Sequence, residues 1–191
     1  MITGIILAAG QSRRMGAVNK LVEPWQGKPL VCHVYEAAMA SKLDEVIVVT
    51  GFEPNKIRSV LAGARLVHNP DFEAGMAGSI SVGAEFAEQG DGVMILLGDM
   101  PLVTATHINE ILSRFDGGAA SIVAATSEGK LGNPVLFGRN YFEALQSLEG
   151  DRGARGLIEV TRNLTKVEIG DAGARDFDTQ EAFEGGGINC G

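Results

Sequence analysis

Positive charge is scarce in this sequence, and so are cysteine, histidine and aromatic side chains. Lys and Arg number 16 against 24 Asp and Glu, giving a formal net charge of −8. No broad basic face is left to neutralise phosphates, which argues against a nucleic-acid partner. A small anionic ligand is still compatible, because Arg13, Arg14, Lys20 and Lys28 form one local basic group. The two cysteines, Cys32 and Cys190, make neither a C-x-x-C pair nor a zinc spacing, and Cys32 reads as a buried thiol in an apolar helix. His33, His68 and His107 lack metal-ligand spacing and read as structural or surface residues. Aromatics are only 6%, and the single tryptophan, Trp25, lies in an early loop where it reads as packing or as a stacking face for a base. No apolar run exceeds strand length, so no membrane span is expected. The first residues enter a strand without a basic leader, and the chain reads as cytoplasmic.

What the sequence does contain is alternation. Short β-rich runs at Ile2–Ala8, Glu45–Thr50, Val93–Leu97, Ala120–Ala125, Pro134–Phe137 and Leu164–Ile169 are separated by helical patterns. The helices are expected near Pro29–Ser41, Pro54–Ala62, Gly78–Gln89, Thr104–Phe115 and Asn140–Leu148. Pro29 and Pro54 suit first helical turns, and Thr104 suits an N-cap without a Glu or Gln to complete a capping box. Near-continuous apolar strands indicate burial on both faces. The pattern predicts one α/β domain, Rossmann-like and three-layered, with a mostly parallel central sheet, over residues 1–184. Residues 185–191, opened by three glycines, read as a flexible tail.

Function is expected where the first strand runs into Leu7-Ala8-Ala9-Gly10-Gln11-Ser12-Arg13-Arg14. Small residues let the backbone approach a ligand, and successive N–H groups can point at phosphate oxygens. Arg13 or Arg14 can add bidentate contacts and Lys20 a compact charge. Neither a Walker A loop nor G-x-G-x-x-G is present, so a P-loop ATPase and a dinucleotide oxidoreductase are unsupported. Asp99, in Gly98-Asp99-Met100-Pro101 at the end of an apolar strand, suits a magnesium ligand or a turn cap. Asp176 and Asp178 share one face of an extended segment, and Asp178 suits either the metal or a helix N-cap. Asn69, Gly75, Gly78 and Ser79 form a turn-rich stretch opening a helix. There Ser79 reads either as an N-cap or as a donor to a ligand. No Ser-His-Asp or Cys-His set is evident.

The run Leu7 to Gly16 followed by Lys20 resembles the signature of the MobA-like nucleotidyltransferases, and its Ala-Ala-Gly version resembles the molybdenum cofactor cytidylyltransferases. The guanylyltransferase branch usually has Gly-Gly there. Gly-Asp-x-Pro at Asp99, N-x-x-x-x-x-G-M-x-x-S-I from Asn69, G-N-P-V-L-F from Gly132, G-D-x-G-A-R from Gly150 and D-x-D-T-Q-E from Asp176 are similar to further family elements. Asn133 replaces the usual His, Gln180 the usual Pro, and Ala17-Val18-Asn19 before Lys20 is one residue longer than the pattern. The resemblance implies a nucleotide-diphospho-sugar transferase-like fold and transfer of CMP from CTP to molybdenum cofactor with release of pyrophosphate. It implies catalytic roles for Arg14, Lys20 and Asp99, with Mg2+ on Asp99 and Asp178. Nucleotide contacts are implied for Leu7, Ala8, Ala9, Gly10, Gln11, Ser12, Arg13, Lys20, Asn69, Gly78, Ser79 and Asp99. The acceptor is assigned to Asn133, Asp151, Arg152 and Arg155. A molybdoenzyme or its chaperone is the implied transient partner. Transfer from GTP, transfer to another phosphorylated acceptor, and a non-catalytic cofactor chaperone are the alternatives.

Overall fold

The computed structural model describes residues 1–11, 18–87, 90–150 and 153–174. Ser12, Arg13, Arg14, Asp151, Arg152, Asp178 and the tail lie outside these residues. Strand β1 (Ile2–Ala8) is followed by a short hairpin, β2 (Pro24–Trp25) and β3 (Lys28–Pro29), then helix α1 (Leu30–Met39) and strand β4 (Glu45–Thr50). Helix α2 (Pro54–Val60), strand β5 (Arg65–His68), helix α3 (Met76–Glu85), strand β6 (Gly92–Leu97) and helix α4 (Ala105–Arg114) continue the alternation. Strands β7 (Ile122–Ser127) and β8 (Lys130–Gly138), helices α5 (Phe142–Gln146) and α6 (Arg155–Val160), and strand β9 (Leu164–Glu168) complete it.

The main sheet has the order β5-β4-β1-β6-β8-β7-β9. All pairings are parallel except those of β8, which runs antiparallel to both β6 and β7. The strands alternate between two buried faces, as the side-chain period of two requires. Ile6, Met94, Leu96 and Val123 face α1, α2 and α4, while Ile5, Val93, Ile95 and Phe137 face α3, α5 and α6. Helices on both sides make three layers. The chain first builds from β1 outward to β4 and β5, then returns to β6 on the other flank of β1. The loops after β1 and β6 therefore diverge at the switch point, where such sheets open a ligand crevice.

Several elements differ from expectation for local reasons. Strand β5 has only four residues with exposed ends, so it lacks the apolar run that marks a buried strand. Helix α3 opens at Met76, with Gly75 as its N-cap at φ 117°, so Ser79 is inside the helix and is not its cap. At α4 a capping box does form, because a histidine serves. Thr104 Oγ1 accepts from the His107 amide, and His107 Nδ1 accepts from the Thr104 amide, each at 3.3 Å. Strands β7 and β8 are joined by a two-residue turn in which Glu128 and Gly129 both have positive φ. The Glu168 carboxylate fastens this turn, accepting from the amides of Glu128 and Gly129 and from Thr126 Oγ1. Those donors, led by the Gly129 amide, hold its carboxyl below the ordinary range.

The turn Gly170–Gly173 packs on β8 at Gly132, so closely that an added Cβ there would lie 1.8 Å from the Gly173 carbonyl oxygen. Gly156, within α6, would place its Cβ in open space. Gly132→Ala should therefore cost about 1–3 kcal/mol through backbone displacement, whereas Gly156→Ala should stabilise by about 0.4–1 kcal/mol. Chemical denaturation of the two variants checks both signs.

Candidate active site

At the carboxyl edge of the sheet, the chain brings together two charges that are 79 residues apart. Asp99 follows β6 in a tight turn. Gly98 keeps that turn against β1, donating its amide to the Leu7 carbonyl at 3.0 Å, and a Cβ at Gly98 would meet the same oxygen at 2.9 Å. Lys20 opens a single 3-10 turn, Lys20–Val22. Its ammonium nitrogen lies 2.7 Å from Asp99 Oδ2, and the two side chains are only 10% and 20% exposed. The partial burial strengthens this pair relative to a surface ion pair.

The lysine is aimed by its neighbour. Asn19 is fully buried and caps the 3-10 turn, its Oδ1 accepting from the Leu21 amide at 3.2 Å. The other end of the same side chain donates from Nδ2 to the Phe52 carbonyl at 3.3 Å. The Phe52 amide in turn donates to Ala9 O at 3.2 Å. Both limbs of the loop between β1 and Lys20 are thus tied to one residue of the loop after β4. Gly51 permits this approach, since a Cβ on it would lie 2.8 Å from Ala9 O and 2.4 Å from Phe72 Cβ.

Lys20 and Asp99 line a cavity of about 290 Å3 together with Leu7, Ala9, Gly10, Gln11, Phe72, Glu73, Gly75, Met76 and Ser79. Gln11 Nε2 donates to Glu73 Oε1 at 2.7 Å, joining the end of β1 to the turn before α3. A second cavity of about 250 Å3 adjoins it, with Met76 and Leu97 common to both walls. Its floor is apolar, formed by Ile80, Ile95, Val135, Phe137 and Ile158, and Asn133 and Arg155 supply its polar lining. Asn133 precedes a cis Pro134. Arg155 is exposed and donates from Nε to Glu159 Oε1 at 3.2 Å.

Of the expected nucleotide contacts, Leu7, Ala9, Gly10, Gln11, Lys20, Ser79 and Asp99 line the first cavity. Ala8, Asn69 and Gly78 are not among its lining residues. Asn69 is buried behind the wall, donating to Ser79 Oγ at 3.0 Å and accepting from the Asp71 amide at 3.0 Å, so it holds the turn that carries Gly75. Of the acceptor set, Asn133 and Arg155 line the second cavity. Ser12, Arg13, Arg14, Asp151, Arg152 and Asp178 fall outside the described residues. Trp25 is buried in the hairpin and packs edge-on against His33, away from either cavity. Burial pushes the Cys32 thiol up, and the side chain packs in the core with its Sγ donating to the Val60 carbonyl at 3.6 Å. Asn19, Phe72, Glu73 and Leu97 also line or support the site and were not singled out in the sequence, while Met76 is the Met of the element that starts at Asn69. The amide polarity of Asn19 beside the expected phosphate lysine was the one available signal.

Among the described residues no group of three or more Asp, Glu, His or Cys could hold a metal. Among the described residues Asp99 and Glu73 are the carboxylates on the wall of the first cavity, and a hard cation held by so few protein ligands keeps most of its others as water and substrate oxygens.

Residues 4–167 match the MobA-like NTP transferase domain. The chain belongs to this family. Its similarity to the purine catabolism protein PucB of Bacillus subtilis is 31% identity, covering 96% of this chain and 94% of that protein. Nicotine blue oxidoreductase of Paenarthrobacter nicotinovorans is 29% identical over 99% of this chain and 87% of its own. The crystal structure of Rv0371c from Mycobacterium tuberculosis superposes with a TM-score of 0.84 at 27% identity, covering 96% and 95% of the two chains. A manganese complex of Rv0371c superposes at 0.80, with 25% identity and 96% of each chain covered. The MobA-like assignment makes nucleotidyl transfer the class of chemistry and a nucleoside triphosphate the class of donor.

For a MobA-like enzyme, loss of the Asn19 side chain should loosen Lys20 and leave the Leu21 amide and Phe52 carbonyl without their partner. Asn19→Ala is expected to cost about 1–3 kcal/mol of stability and to raise the nucleotide KM about tenfold. Denaturation and steady-state kinetics on the same preparation check the two effects.

Proposed function

We propose that this chain is a magnesium-dependent cytidylyltransferase that transfers CMP from CTP to molybdenum cofactor and releases pyrophosphate. The observation that carries the reading is the pair of adjoining cavities, one holding Lys20 and Asp99 and the other Asn133 and Arg155, with Met76 and Leu97 between them. A donor in the first and an acceptor in the second would meet at that shared wall. The Ala8-Ala9-Gly10 loop supports the cytidylyl branch by its resemblance, and Asn133 keeps a polar group where the family pattern has His.

In this reading Lys20 moves its charge from Asp99 to the triphosphate as the nucleotide enters. Arg13 and Arg14, with the amides of the loop, hold the remaining phosphate oxygens. The acceptor phosphate is already ionised at neutral pH, so no strong general base is needed. One of its oxygens bonds to the α-phosphorus while the bond to the bridging oxygen breaks, and pyrophosphate leaves with that electron pair. Positioning and charge neutralisation then supply most of the rate. Asp99, with Asp178, would hold Mg2+, which when bound neutralises charge on the triphosphate and on the leaving pyrophosphate. Arg152 and Arg155, with Asp151, would orient the acceptor.

A second reading comes from the relative named as an oxidoreductase. Such chemistry would proceed without pyrophosphate release, as would a cofactor chaperone. Asp99→Asn distinguishes these readings. The isosteric amide can still accept from Lys20, so the fold should persist. A transferase should lose about 10²–10³-fold in kcat while its CTP affinity changes by less than about tenfold. A chaperone or an oxidoreductase should give no pyrophosphate signal in the unmodified protein.

A further inference from the structure

The charged groups of the nucleotide cavity are not mixed at random along its wall. Asp99 stands after β6 and draws Lys20 to that flank of β1. On the other flank, Phe72 sits over Gly51 at the end of β4, and Glu73 is the next residue. Both Phe72 and Glu73 line the cavity. Because β1 lies between β4 and β6, the two carboxylates flank the loop after β1 from opposite sides. Lys20 and Asp99 together carry no net charge, whereas Glu73 carries, among the described residues, an uncompensated negative one, so a triphosphate is disfavoured on the Glu73 side relative to the Lys20 side. The polarity of the cavity therefore turns the base of a bound nucleotide toward Phe72 and Glu73.

We propose that Glu73 is a specificity-determining residue that selects bases presenting an exocyclic amine, with Phe72 as the stacking face. This inference rests on the nucleotidyltransferase reading above. An ionised carboxylate is an acceptor only, and it has acceptor sites beyond the one used by Gln11. Cytosine presents an amine that can donate to it, whereas uracil presents a carbonyl oxygen at the same position. A carboxylate thus attracts the first base and repels the second. Base stacking on an aromatic side chain tolerates either base, so discrimination falls to the carboxylate. Gln11, fixed at the end of β1, keeps Glu73 at the cavity wall, so the reader is held by the same loop that is expected to hold the phosphates.

The test measures affinities of CTP and UTP by titration calorimetry for the unmodified protein, Glu73→Ala and Glu73→Gln. Glu73 is exposed, so all three should fold alike, and equal Tm values check this. The unmodified protein should prefer CTP by about tenfold. Glu73→Ala should lose that preference through weaker CTP binding. Glu73→Gln should bind UTP better than the unmodified protein, because its amide can donate to the uracil oxygen. Equal affinities in the unmodified protein, or a CTP preference that survives both substitutions, would overturn the role of Glu73 while leaving the nucleotide site standing. If the unmodified protein binds neither nucleotide, and neither ATP nor GTP, the nucleotidyltransferase reading fails and takes this one with it.

Discussion

The ion pair between Lys20 and Asp99 is the contact on which the site depends. It joins the loop that leaves β1 to the turn that leaves β6, and it exists only because these strands are neighbours in a parallel sheet. Each charge is mostly buried, so each needs the other or a ligand that replaces it. A triphosphate with its cation is a replacement for both at once, since it offers anionic oxygens to the lysine and a positive charge to the carboxylate. The pair is a structural fastening, and on the proposed reading it is also the place that the ligand takes over.

The surrounding structure serves to make that contact rigid. Gly98 and Gly51 let backbone segments approach Leu7 and Ala9 more closely than any side chain would allow. Asn19 uses both ends of its amide to hold the lysine turn against the loop after β4. The apolar strands beneath are buried on both faces, so the edge that carries the charges cannot shift without disturbing two cores.

Much of the fold could be read from the chain because its strands are strongly apolar and its helices are of ordinary length. The position of Asp99 at the carboxyl edge was legible for the same reason, since it directly follows a buried apolar strand and precedes Met100-Pro101. Lys20 was legible as a cation, but its partner was not, since nothing local links it to a residue 79 positions away. Asn19 looked like a spacer, and only the fold reveals that Phe52 stands opposite it. Strand β5 and helix α6 were missed because four and six residues carry too little periodicity. The β7–β8 turn was hidden by Glu128, which holds a positive φ that sequence reasoning reserves for Gly, Asn or Asp. The capping role of His107 was missed because the usual pattern names Glu or Gln.

On the proposed reading, the cavity holding Lys20 and Asp99 binds a nucleoside triphosphate whose α-phosphorus is attacked by an acceptor from the adjoining cavity. Pyrophosphate release, measured with each of the four ribonucleoside triphosphates in the presence and absence of molybdenum cofactor, tests it most directly. Release should require both CTP and the cofactor. Release with GTP alone among the four would contradict the cytidylyl assignment, and no release with any nucleotide in the presence of the cofactor would contradict the account.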